Sequence, residues 1–133
     1  MQPSINPARC GPTECGPTRW AELAQLRQKI RWGVEPDNPA LIRRWLELEN
    51  CEAGDTSLAW QRQCHEHQFA LLLETVVDEL VIAHWRCLCL DNIYRPLQAL
   101  KKISDGVSSD MRIQHLVREL AIQTRYVRHS LRF

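Results

Sequence analysis

A chain of 133 residues with 44% apolar and 25% charged side chains has the length and composition of one soluble globular domain, which excludes disorder along its whole length and a second independent core. A formal net charge of +1 excludes a bulk field that would draw in nucleic acid or an acidic bilayer, so any such role has to rest on a local patch. The charge is unevenly spread: residues 51 to 90 hold Arg62 and Arg86 against Glu52, Asp55, Glu66, Glu74, Asp78 and Glu79, whereas the segment from 101 onward is basic.

Residues 1–17 contain Pro3, Pro7, Pro12 and Pro17 together with Gly11 and Gly16, a density incompatible with a helix or a central strand, and read as a disordered tail. The opening residues lack the apolar run of a secretory leader. Within the tail, Cys10-Gly-Pro-Thr is repeated at Cys15-Gly-Pro-Thr. Two thiols at that spacing are half of a metal or redox site, but no second pair of ligands stands near them, so the repeat reads as low-complexity sequence.

Thr18 is a suitable N-cap for a first helix over 19–32, in which Trp20, Leu23, Leu26 and Ile30 recur at helical spacing up to Gly33. A turn containing Pro36 and Asn38 leads to a second helix from Pro39, with Leu41, Ile42, Trp45, Leu46 and Leu48 on one face and Arg43, Arg44, Glu47 and Glu49 on the other. The connection is longer than a helix-turn-helix allows, which argues against Arg43 and Arg44 reading DNA.

After a loop over 51–57, capped by Asp55, Thr56 or Ser57, neither glycine nor proline occurs from Leu58 until Pro96, and Asp91-Asn92 is the first plausible stop. The pattern predicts one central helix of about 34 residues, or about 50 Å. Its stretch from Phe69 to Leu90 is apolar on nearly every face, and the remainder of the chain has to cover it. Glu74, Asp78, Glu79, His84 and Arg86 within that stretch make it unsuitable as a membrane span. A globule of this size is about 36 Å across, so the helix has to bend near Cys64–Gln68 or be covered by a partner, most simply a second copy of the chain in a homodimer.

Arg95-Pro96 marks a kink or the start of a short helix over Leu97, Leu100 and Ile103. From Ser108, Ser109 or Asp110 a last helix follows to the C-terminus, with Ile113, Leu116, Val117, Leu120, Thr124, Val127 and Leu131 as its apolar stripe. Arg118, Arg125 and Arg132 recur every seven residues, and with Arg112, Arg128 and His129 they predict a basic ridge about 30 Å long.

Candidate chemistry is sparse. His65-Glu66-His67-Gln68-Phe69 lacks the second histidine of the H-E-x-x-H zinc motif. Cys64 with His67, and His84 with Cys87, are each three residues apart and could serve as metal half-sites or thiol–base pairs. The two pairs face opposite sides of the expected helix about 25 Å apart, so they cannot form one site. Cys51 could approach Cys64 and His67 as the loop folds back, but buried, inert cysteines are the commoner outcome. No phosphate-binding, dinucleotide, haem or hydrolase motif is present in the sequence.

The sequence therefore predicts an all-α bundle of four principal helices, one of them long and central, in a single domain over 18–133. The expected protein is cytoplasmic, with its six cysteines mostly reduced, without cofactor or membrane partner. Its expected role is that of a non-enzymatic regulator or adaptor that docks helix faces onto a protein partner, with Trp60 and Trp85 as anchors and Arg112, Arg118, Arg125, Arg128 and Arg132 providing charge complementarity. The alternatives are a nucleic-acid-binding transcriptional regulator using the basic C-terminal helix and a thiol or metal sensor built on Cys51, Cys64 and His67.

Overall fold

The computed structural model describes residues 17–53 and 56–131. The chain order is α1 (Pro17–Trp32), α2 (Ala40–Ala53), α3 (Leu58–Val77), α4 (Ala83–Asn92), α5 (Tyr94–Lys102) and α6 (Val107–Val127), closed by a 3-10 turn over Arg128–Leu131. Among the described residues there is no strand, as the all-α expectation requires. Apart from Pro17, the expected tail lies outside the described residues.

Among the described residues six helices replace the expected four principal ones and the short one at Pro96, because the expected central helix is two helices. Its break falls at Asp78–Ile82, not near Cys64–Gln68. Asp78 leaves the helical region (φ −84°, ψ 106°), and its Oδ1 accepts the backbone N–H of Leu80 at 2.9 Å. This local turn competes directly with continued helix. The backbone N–H of Val81 donates to the Asp78 carbonyl at 3.0 Å, and the next helix reaches back to cap the last, with Arg86 Nε donating to the Val76 carbonyl at 2.8 Å. What remains, the 20-residue α3, is about 30 Å long and fits within a globule of this size. The length mismatch that called for a homodimer is therefore absent.

The expected stop at Asp91-Asn92 is observed, with Asn92 Nδ2 donating to the Leu88 carbonyl at 2.8 Å. Pro96 does not start α5 but sits in its first turn, where a missing N–H has no intrahelical partner to lose. Gly33 ends α1 at φ 61°; its N–H donates to the Ile30 carbonyl and that of Val34 to the Lys29 carbonyl, the paired bonds of a left-handed helix stop.

Helix α3 packs against α1, α2, α4, α5 and α6, so it is central although shorter than expected. Around its Phe69, Leu72 and Val76 the core collects Leu23 and Ile30 from α1, Ile42, Trp45 and Leu46 from α2, Trp85 and Cys89 from α4, Leu97 and Leu100 from α5, and Ile113, Leu116 and Leu120 from α6. No helix among the described residues is long and apolar enough to cross a membrane.

Candidate functional site

Three helical stripes frame an open groove. Trp20, Leu23, Arg27 and Arg31 come from α1, Trp45, Glu49 and Glu52 from α2, and Trp60, Cys64, His67, Leu71 and Glu74 from α3. Spacings of three and four residues put each set along one side of its helix. The groove has a volume of about 790 Å³, within the range of roughly 300–1,000 Å³ usual for ligand clefts. Trp45 is 1% exposed and belongs to its floor, while Trp20 (55%) and Trp60 (45%) present large aromatic surface to solvent from α1 and α3.

A buried polar network underlies the groove. Glu49 is 6% exposed, and its Oε2 accepts from Arg27 Nε at 2.7 Å and from Trp45 Nε1 at 2.9 Å. Its Oε1 accepts from Gln68 Nε2 at 3.2 Å. The same amide nitrogen donates to Asn50 Oδ1 at 3.1 Å, which turns Gln68 Oε1 toward His65 Nδ1 at 3.2 Å and assigns the ring proton to Nδ1. A buried carboxylate is tolerated here because cationic and neutral donors converge on it. At the far end, Arg31 Nη1 donates to Asp78 Oδ2 at 2.8 Å, and its guanidinium lies 4.5 Å from the Trp32 ring centre, within cation–π range. Arg19 Nε stands 3.4 Å from Glu52 Oε2 in a further ion pair.

Cys64 and His67 do share the groove, but the three-residue set with Cys51 is not assembled. Cys51 is disulfide-bonded, and among the described residues no group of three histidine, cysteine or acidic side chains is arranged to hold a metal. Of the four described cysteines, Cys51 is bonded while Cys64, Cys87 and Cys89 are free. Burial, then the nearby Glu49 carboxylate, pushes the Cys64 thiol up, with Arg27 opposing, so the thiolate is disfavoured. Cys87 is raised by burial and then by Asp91, with Arg86 opposing, and its Sγ donates to the Leu131 carbonyl at 3.5 Å. His84 is exposed and points its Nε2 toward Asp37 Oδ1 at 4.0 Å. Neither cysteine has the low-pKa setting of an activated nucleophile.

The expected anchors separate. Trp60 lies at the groove, but Trp85 is 0% exposed and donates its indole N–H to the Ile30 carbonyl at 2.8 Å. Trp85 is thus a core residue and cannot contact a partner. The basic ridge is also altered. Arg112 turns toward α3, where Nε and Nη2 both donate to Glu66 Oε1 at 3.2 and 3.0 Å. Arg118, Arg125 and Arg128 remain exposed on α6 and the turn that follows it, and Arg132 lies outside the described residues. Sequence reasoning missed Trp20, Arg27 and Glu49 as groove residues. Their three- and four-residue spacing was visible, but which stripe would face which was not.

Comparison with known protein families, curated proteins and solved structures finds no match for this chain.

Proposed function

We propose that this protein is a non-enzymatic interaction module, a small regulator or adaptor that receives an apolar segment of a protein partner in the groove between α1, α2 and α3. The observation that carries this reading is the pair of tryptophans, Trp20 and Trp60, each about half exposed at a cleft of about 790 Å³. Tryptophan is the side chain most enriched at binding hot spots, and burying the remainder of each indole would contribute strongly to association. The paired charges along the walls, Arg27 with Glu49 and Arg31 with Asp78, leave the groove with little net field and favour an apolar ligand over a strongly charged one.

The test is selection of peptides from a displayed random library on the intact protein, with counter-selection on Trp60→Ala. Enrichment of sequences sharing aromatic or aliphatic residues at a common spacing, lost on the variant, supports the reading. Selection that yields only binders indifferent to Trp60→Ala, or none, overturns it.

A further inference from the structure

The outward side of α6 has a different chemistry from the groove. From Met111 to Arg128 it exposes Arg118, Arg125 and Arg128, and among the described residues none of the three has an ion-pair or hydrogen-bond partner. This sets them apart from Arg19, Arg27, Arg31, Arg44, Arg62 and Arg112, which all pair with carboxylates. The one carboxylate between Met111 and Arg128 is Glu119. It lies about 100° round the helix from Arg118 and accepts from Gln123 Nε2 at 3.0 Å. Glu119 therefore borders the face beside Tyr126, and among the described residues no carboxylate pairs with its three arginines.

It is also apolar. Met111 (63% exposed), Ile122 (46%), Val117 (43%) and Tyr126 (78%) stand in solvent on the same helix. At 100° per residue, Met111, Ile122 and Arg125 all fall within about 40° of Arg118, with Val117 and Arg128 flanking one side and Tyr126 the other. A helix whose inner stripe of Ile113, Leu116, Leu120 and Val127 is already buried gains nothing for the fold from this second apolar set.

We infer that this face docks an acidic amphipathic helix of a protein partner. Such a helix supplies carboxylates opposite Arg118 and Arg125, which are about 10.5 Å apart along the axis, and apolar side chains for Met111 and Ile122. A nucleic-acid backbone matches only the arginines and leaves the apolar residues without a counterpart. The face is separate from the groove. Arg62 and Glu66, which pair with Asp105 before α6 and with Arg112 within it, lie about 140° round α3 from the middle of the Trp60, Cys64, His67, Leu71 and Glu74 stripe. The two surfaces thus stand on opposite sides of the central helix, and both can be occupied at once, as bridging two partners requires. The inference does not depend on the groove having a ligand.

The probes are three fluorescent ligands titrated against the full chain at low salt: a synthetic helix with a leucine stripe and glutamates every seven residues, the same helix with lysines for the glutamates, and a 20-base-pair DNA duplex. The expected result is binding of the acidic helix alone, weakened about tenfold or more by Arg118→Glu with Arg125→Glu, and weakened also by Ile122→Ser. All three positions are exposed, so circular dichroism should show the fold retained. Absence of acidic-helix binding, or binding insensitive to the charge reversals, overturns the proposal. So does tighter binding of the duplex, which assigns the arginines to nucleic acid, or sensitivity to the arginines without sensitivity to Ile122→Ser, which removes the apolar component.

Discussion

Arg31 Nη1 donates to Asp78 Oδ2 at 2.8 Å while the other oxygen of that carboxylate accepts the N–H of Leu80 at 2.9 Å. One side chain therefore ends α3, shapes the turn into α4 and fastens that turn to the end of α1. Asp78→Ala removes all three effects and should lower stability by about 2 kcal/mol in urea denaturation. Asp78→Asn, which keeps an acceptor for Leu80, should cost less. Acid supplies a second check. The Arg31 guanidinium, then the Leu80 N–H, holds the Asp78 carboxyl below its ordinary range. A carboxyl with a depressed folded pKa contributes stability that is present above its unfolded value, about 3.9, and is lost as the pH falls through the folded one. The stability difference between wild type and Asp78→Asn should accordingly shrink as pH falls below about 4.

Of the two described glycines, Gly33 is the less tolerant of a methyl group. Its φ is 61°, and an added Cβ would lie 2.8 Å from Trp85 Cδ1 and 3.0 Å from Val81 Cγ1. Trp85 cannot withdraw without breaking its bond to the Ile30 carbonyl. Gly33→Ala should cost about 2 kcal/mol or more, combining backbone strain with the clash. Gly106 has nothing within 4 Å and an extended φ of 162°, so Gly106→Ala should stay within about 0.5 kcal/mol in the same melts.

These two sites show what the sequence could and could not convey. Local signals were legible: Ser57 was among three cap candidates, and its hydroxyl accepts the Trp60 N–H at 3.2 Å; Asn92 ends α4 as expected. The break at Asp78 was not legible because Asp-Glu-Leu-Val-Ile contains neither glycine nor proline, and, beyond the local bond from Leu80, the groups that stabilise it come from other helices. Arg31 is 47 positions away and Arg86 has to fold back onto Val76. The same limit applies to the candidate surfaces. Trp60 and Trp85 both read as anchors, yet Trp85 is fully buried, with its indole N–H held by the Ile30 carbonyl 55 positions away near the end of α1. The departure of Arg112 from the ridge depends on Glu66, 46 positions away.

The thiols should be slow to react. Cys89 is buried, and desolvation pushes it up to about 12; Cys64 and Cys87 are raised as well. Because the thiolate is the reactive form, labelling of Cys64 and Cys87 at pH 8 should lag behind a free thiol, and Cys89 should react only as the protein unfolds. Residue-resolved mass spectrometry of a timed alkylation distinguishes the three. Fast labelling of Cys64 at neutral pH would revive a thiol-based role for the groove.

Trp85→Ala and Trp60→Ala should have opposite consequences. The first empties a fully buried indole site and removes one of the two donors to the Ile30 carbonyl, at a cost of about 3–5 kcal/mol. The second removes a side chain that is 45% exposed and should cost about 1 kcal/mol or less, while abolishing capture of groove ligands. Thermal melts run beside binding assays separate the two, and comparable destabilisation by both would mean that Trp60 is a structural residue.

Glu49 tests whether the groove floor is held by charge or by shape. Glu49→Ala leaves Arg27, Trp45 Nε1 and Gln68 Nε2 each without the acceptor they share. The buried Trp45 and Gln68 donors lose an acceptor while Arg27 can turn to water, so a loss of about 2 kcal/mol is expected. Glu49→Gln retains an acceptor but no anion. It should recover roughly half of that loss, since the Trp45 bond is neutral-compatible and Arg27 is itself partly solvated, with 43% of its side chain exposed. Denaturation of the two variants measures this ratio. A glutamine variant as unstable as the alanine one would show that the ion pair with Arg27, not the hydrogen-bond acceptor, holds α1 and α2 together beneath the groove.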